Sequence, residues 1–362
     1  MRPSSRRPSG TAAAGRRRLR GPAAIGAATL ALSLTAACGG SGNSGASDAG
    51  ASDGVATVRL GIYPGNLISA QIAQQQGYFK KHRLNVKFQT LSAGPAIVAA
   101  TENGSVDVGY GDTLAVAAAA ANGFGKVQII QPGNIQTTEP SSDEDLLAGP
   151  ESGVKSVADL KGKTIGVIPY PEINVAARLL LKNHGVDPDS AKFITITDGT
   201  QASLLKTGGA DAVEGRNIGE DKKLVGESGA RDLGSPLDAI PPHTITTSYF
   251  GNTEWLKKNP GAAARLVAAL REAARYYNSA SDSQLGVLGA KYGGVDYPVL
   301  AKKYPDILEQ AHWGSWPAEP AGRADIAATQ KWIATAVSFG QLKKTVQVKP
   351  LLYRTATESR LP

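Results

Sequence analysis

Residues 57–91 read TVRLGIYPGNLISAQIAQQQGYFKKHRLNVKFQTL. Thr57–Ile62 alternates apolar and polar positions, as a half-buried strand does. Leu67–Gln76 keeps a helical spacing until Gly77 stops it, and Leu84–Leu91 returns to period two. A strand, a helix and a strand in so short a stretch make a β–α–β unit. The alternation continues downstream. Gly94–Glu102 reads as a helix, Val106–Tyr110 as a strand, Asp112–Ala121 as an alanine-rich helix ended by Asn122-Gly123, and Lys126–Ile130 as a strand. Such a pattern predicts a mostly parallel sheet with helices on both faces.

A second unit of the same kind begins near Ser156. Its strands are expected at Lys163–Ile168, Lys192–Thr197 and Ala210–Glu214, and its helices at Glu172–His184, Gln201–Thr207 and Asn217–Glu227. After the β-like run His243–Phe250 the chain turns mainly helical, with a long helix at Gly261–Tyr277 opened by Pro260. Further helices are expected at Ser281–Lys291, Tyr297–Lys303 and Gly322–Phe339. The fold class is therefore α/β with two lobes: 55–145 plus 248–362 form lobe 1 and 150–243 form lobe 2. Crossings are expected near Glu144–Gly149 and His243–Phe250, a layout suited to hinge closure on a ligand.

The start of the chain reads as an export device. Residues 1–37 hold seven arginines and no acid, then an apolar run from Ala23 to Ala37, which is too short to span a bilayer. Leu34-Thr35-Ala36-Ala37-Cys38 resembles a bacterial lipobox, although its leucine stands one place early. That resemblance implies a signal peptide over 1–37, lipidation of Cys38, and anchoring to the outer face of the cell membrane. An ordinary signal peptide with an incidental cysteine is the alternative. Residues 38–54 supply the lipidated cysteine and the tether GGSGNSGASDAGASDG, which has no large apolar residue. Such a tether has a root-mean-square span of roughly 20–25 Å. Seven of the 39 basic residues belong to the leader, so the remainder carries 32 basic against 31 acidic residues, a net +1. This balance excludes the basicity of a nucleic-acid binder. Cys38 is the only cysteine, so no internal disulfide forms.

Four segments carry a family resemblance. Residues 77–86 (GYFKKHRLNV), 104–109 (GSVDVG), 159–167 (DLKGKTIGV) and 209–213 (GADAV) resemble, in order and spacing, segments of solute-binding proteins. The family is the nitrate/sulfonate/taurine and thiamine-precursor (NMT1/THI5-like) group of ABC importers. The resemblance covers roughly residues 58–340. It implies a two-lobed periplasmic-binding-protein type II fold with a helical C-terminal tail. It also implies a small-molecule solute, a membrane permease and a separate ATPase chain as partners, no cofactor, and a monomer. The four segments read as architectural, so function rests on the site.

Ligands of open α/β sheets lie beyond the carboxyl ends of the strands. That rule selects Tyr63 and Asn66 after the first strand, Gly94 after the second, and Asp112 and Thr113 after the third. In the second lobe it selects Tyr170, Asn174, Glu214 and Arg216. Helix N-termini at these loops suit anions such as nitrate or sulfonate. Asp112 and Glu214 instead suit an amine, an amidine or hydroxyl groups, and Tyr63 and Tyr170 could stack a flat ring or close over a cation. Asp112 reads equally as an N-cap of the following helix, and Glu214 with Arg216 as a local pair. Trp313 and Trp316 either pin a loop or cap the cleft.

Enzyme readings fare poorly. The chain has no GxSxG elbow, P-loop or HExxH motif, and His82, His184, His243 and His312 have no metal-ligand spacing. The family's pyrimidine-synthase-like enzyme branch and a ligand-sensing ectodomain stand as alternatives to the import receptor.

Overall fold

Among the described residues, ten strands form two five-stranded sheets. β1 (Ala56–Ile62), β2 (Leu84–Thr90), β3 (Val108–Asp112), β4 (Val127–Ile135) and β10 (Ile245–Asn252) lie in the order β2-β1-β3-β10-β4. β5 (Leu146–Ala148), β6 (Thr164–Val167), β7 (Lys192–Thr195), β8 (Ala212–Glu214) and β9 (Arg231–Asp232) lie in the order β7-β6-β8-β5-β9. The computed structural model describes residues 54–65, 67–92, 94–141, 144–305, 307 and 316–359. The leader, Cys38, the tether before Gly54, Asn66, His312 and Trp313 lie outside the described residues.

The two sheets repeat one plan. In each, four strands share a direction, as the β–α alternation predicts, and one runs against them: β10 in the first sheet, β5 in the second. Both reversed strands occupy the fourth place, and each is the first strand laid down after the chain arrives from the other sheet. The two expected crossings fall on these strands. The connecting segments run side by side, with the Gln136 N–H donating to the Thr244 carbonyl (2.8 Å) and the His243 N–H to the Gln136 carbonyl (2.9 Å). This is the two-lobed periplasmic-binding-protein arrangement.

The motif acids are structural, and they do the same work in both lobes. Asp107, just before β3, accepts from the Arg59 N–H of β1 at 2.8 Å and pairs with the Arg59 guanidinium at 2.6 Å. Asp211, just before β8, accepts from the Thr164 N–H of β6 at 2.8 Å and meets Lys163 at 3.4 Å. Each acid stitches the start of one strand to its parallel neighbour. Gly77 has φ +74°, the left-handed backbone that ends a helix at low cost to glycine.

The largest core lies around the first sheet. Val58 and Leu60 of β1 are fully buried, and the helix Pro260–Ser279 turns Ala263, Leu266, Val267, Leu270, Ala274 and Tyr277 inward at helical spacing. Arg271 of that helix is also buried. Its guanidinium donates to Gln131 Oε1 (2.9 Å) and to the carbonyls of Thr355 (2.7 Å) and Glu358 (3.2 Å). The tail thereby covers the outer edge of β4, where the Tyr353 N–H donates to the Ile129 carbonyl at 2.7 Å. Smaller cores around Leu146, Ile165 and Leu181, and around Leu147, Ile196 and Val213, cover the two faces of the second sheet.

Candidate ligand-binding site

A cavity of about 140 Å³ lies between the sheets at the carboxyl ends of β1, β3 and β6. Tyr63 follows β1, Asp112 ends β3, and Tyr170 and Glu172 follow β6. All four line the cavity. Three lining tyrosines continue a ladder of rings that ends on the buried Tyr249: Tyr170 and Tyr63 at 5.8 Å, Tyr63 and Tyr110 at 5.8 Å, Tyr110 and Tyr249 at 4.8 Å between centroids. Tilted rings at these distances attract one another and offer apolar faces with polar tips.

Asp112 ends its strand at the N-cap position of the helix Thr113–Ala121, but its side chain makes no capping hydrogen bond. Asp112 thus holds the N-cap position without capping, although its backbone (φ −60°, ψ 133°) is the usual one for a cap and Asn252, at nearly the same angles, does cap its helix. Asp112 is 4% exposed, and its Oδ2 has no hydrogen-bond partner. Burial pushes its carboxyl up to about 7. Opposite stands Glu172, in the first turn of the helix Pro171–Asn183, 6% exposed, with Oε1 also without a partner. Burial raises its carboxyl well above the usual range, and the charge of Asp112 raises it further.

Glu214 ends β8 and is fully buried, but the cavity lining does not include it. Its Oε2 accepts from the Ile168 N–H at 2.7 Å, and its Oε1 has no partner. Burial raises its carboxyl strongly; the Ile168 bond opposes this, while the charges of Asp221, Asp112 and Asp198 add to it. The Glu214–Arg216 pair does not form. Arg216 instead meets Asp198 at 2.7 Å and donates to the Pro64 carbonyl at 3.2 Å, joining the second lobe to the first at the rim. Gly65 accommodates that contact. Its φ is +82°, and a Cβ there would collide with the Arg216 guanidinium.

The other expected site residues serve as supports. Gly94 packs beside Asp112, where a Cβ would come 3.4 Å from Oδ2. Thr113 bonds Ser248 through their hydroxyls at 2.5 Å, and Asn174 Oδ1 accepts from Arg178 Nε at 3.0 Å. Trp316 combines both roles weighed for it: it lines the cavity and stacks on Tyr277 at 3.7 Å and 3°. The residue sequence reading passed over is Glu172. An acid in a first helical turn reads as a surface partner of the helix dipole; only its place directly after β6 points to the cleft. Among the described residues lining the cavity, none is Lys, Arg or His, while three are acids: Asp112, Glu144 and Glu172.

Known proteins resemble the chain along most of its length. A family model described as NMT1/THI5 like matches residues 65–281. A Brucella abortus protein named as a binding protein is 30% identical over 305 residues, covering 81% of this chain and 88% of the relative. The periplasmic aliphatic sulphonate binding protein SsuA from Escherichia coli superposes with a TM-score of 0.67 at 20% identity, over 84% of this chain and 96% of that one. The desulfurization enzyme DSZB superposes with a TM-score of 0.59 at 15% identity, over 82% and 96% of the two chains. At these identities the structural likeness is one of fold, and the fold carries both binders and an enzyme.

Proposed function

From the premise that this chain belongs to the NMT1/THI5-like family, we propose that it is the extracytoplasmic solute-binding subunit of an ABC importer and not an enzyme. One observation carries this reading: the cavity walls come from both lobes, and Tyr63–Tyr170 and Pro64–Arg216 touch across the gap at its mouth. A solute seated there adds contacts that exist only when the lobes meet, so it shifts the population toward the closed form. The closed form docks on a membrane permease driven by a separate ATPase. Cys38 carries the lipid, and the tether leaves the folded body free to close and dock.

The test is a thermal-shift screen on protein stripped of solute. One arm holds anions (nitrate, taurine, alkanesulfonates) and the other nitrogenous bases and cations, including thiamine-precursor pyrimidines. A solute at 100 times its Kd stabilises by about 2.7 kcal/mol, at least several degrees of Tm for a body of this size. A response in either arm, with loss of that solute's uptake when the gene is deleted, supports the receptor. Silence in both arms together with unchanged uptake removes it.

A further inference from the structure

We propose that the cleft selects a small organic cation, an amine or amidinium group on a flat or short body, held between Asp112 of one lobe and Glu172 of the other, and that it rejects sulfonates. The proposal rests on the receptor reading and narrows it.

The first argument is the inventory of charge. Two side chains more than nine-tenths buried line one cavity, one from each lobe, and each keeps a buried carboxylate oxygen without a hydrogen-bond partner. A buried carboxylate without a partner is costly, and an N–H-rich cation is the group that satisfies both oxygens at once. Arg216, the guanidinium at the rim, is already held by Asp198. The described residues gather no set of three or more acids, histidines or cysteines able to hold a metal ion.

The second argument concerns the amides an anion would use. At the helix Ser69–Gln75 the Tyr249 hydroxyl accepts from the Ala70 N–H at 3.0 Å, and Gln71 Oε1 accepts from the Ile68 N–H at 2.9 Å. The helix Pro171–Asn183 opens on a proline, which has no N–H, followed by Glu172. The helix Thr113–Ala121 has Asp112 at its N-cap position, with no side-chain bond to its amides. Protein groups thus take the Ile68 and Ala70 amides, and each of the other two helix starts carries an acid that repels an anion.

Size and shape complete the argument. An engineered apolar cavity of about 150 Å³ admits benzene, so the cleft as closed here holds a body of similar scale, with Tyr63 and Tyr170 available to its face.

The groups facing the two acids are Tyr63, Tyr110, Tyr170, Glu144 and Glu214, with Arg216 at the rim. All but Arg216 are neutral or acidic, so the empty closed cleft holds protons that an incoming cation displaces. Cation affinity therefore rises with pH through neutrality, and an anion, which needs the carboxyls protonated, would bind more weakly as pH rises.

Isothermal titration of the purified, solute-stripped protein with benzamidine, methylguanidine, 1,4-diaminobutane, taurine and methanesulfonate, at pH 6 and pH 8 in two buffers, tests this. The expected result is binding by at least one cation, tighter at pH 8, with protons released to the buffer at pH 6. Asp112→Asn and Glu172→Gln should each weaken that binding at least tenfold while the Tm falls no more than a few degrees below wild type. Silence of every cation overturns the proposal. If a sulfonate binds instead, the receptor stands and the ligand class falls; if both arms are silent, the receptor reading loses its support as well. Cation binding that survives both substitutions also overturns the assignment.

Discussion

Replacing Asp112 with asparagine removes one buried charge from the cleft while keeping the side chain's shape. In the folded protein its carboxyl titrates at about 7, against 3.8 for the ordinary group. The raised value sets the sign. Below pH ~4 the group is protonated in both folded and unfolded chains. Between 3.8 and 7 only the folded chain holds the proton, so stability falls as pH rises, and above 7 the full penalty applies. A gap of about three units, at 1.36 kcal/mol each, gives roughly 4 kcal/mol. Opening of the cleft, which wets the carboxylate, limits the penalty to the cost of opening. Between pH 5 and pH 7 the loss amounts to about 2.3 kcal/mol. At about 2 °C per kcal/mol, the Tm of the solute-free wild type should drop by about 5 °C. The Asp112→Asn protein should lose most of that drop, because the substitution also relieves Glu172 of the neighbouring charge. Scanning fluorimetry at pH 5, 6, 7 and 8 on stripped protein reads it directly. A variant with the same pH slope as wild type would refute the reasoning and return Asp112 to a purely structural part.

Other substitutions separate closure from stability. Arg216→Ala removes the donor to the Pro64 carbonyl; since that bond is exposed, solute should dissociate only about three- to tenfold faster in stopped-flow measurements, with the Tm unchanged within about 2 °C. Gly65→Ala should be worse for binding than for folding. The left-handed backbone costs about 1–2 kcal/mol, and the new methyl meets Arg216, so small-angle scattering should find the solute-saturated variant still open. Arg271→Met leaves Gln131 Oε1 and two tail carbonyls without their donor. It should lower the urea-derived stability by roughly 3 kcal/mol and expose the tail to protease before the rest of the chain.

The periodic segments carried most of the fold. β1, β2, β6 and the helix Pro260–Ser279 were legible because burial imposes a period on each of them. β5 and β9 were not, since three and two residues cannot display a period. The reversed direction of β5 and β10 was likewise hidden: a strand's alternation is the same whichever way its neighbours run. Tyr63, Asp112 and Tyr170 could be found at the cleft because they follow strands of one direction. Glu172 was missed because helix-start acids are usually solvated, and Glu214 was placed at a strand end correctly but stands outside the cavity lining, bound to the Ile168 amide. Non-glycine residues with positive φ, Glu144 at +58° and His243 at +67°, occupy the connections between the sheets, and nothing in their residue types announced it.

The place of β10 has a consequence for synthesis. Among the described strands of its sheet β4 pairs only with β10, and β10 is also what joins β4 to β3. A nascent chain therefore completes β4 at Ile135 and must wait about 110 residues, until Ile245 begins to emerge, before that strand has a partner. At ordinary translation rates this is about 6–20 s. The second sheet, contiguous from Leu146 to Asp232, can assemble during the wait. The lobe that starts first thus finishes last, and for those seconds the apolar start of β4 stands as an unpaired edge, the kind of surface on which nascent chains associate.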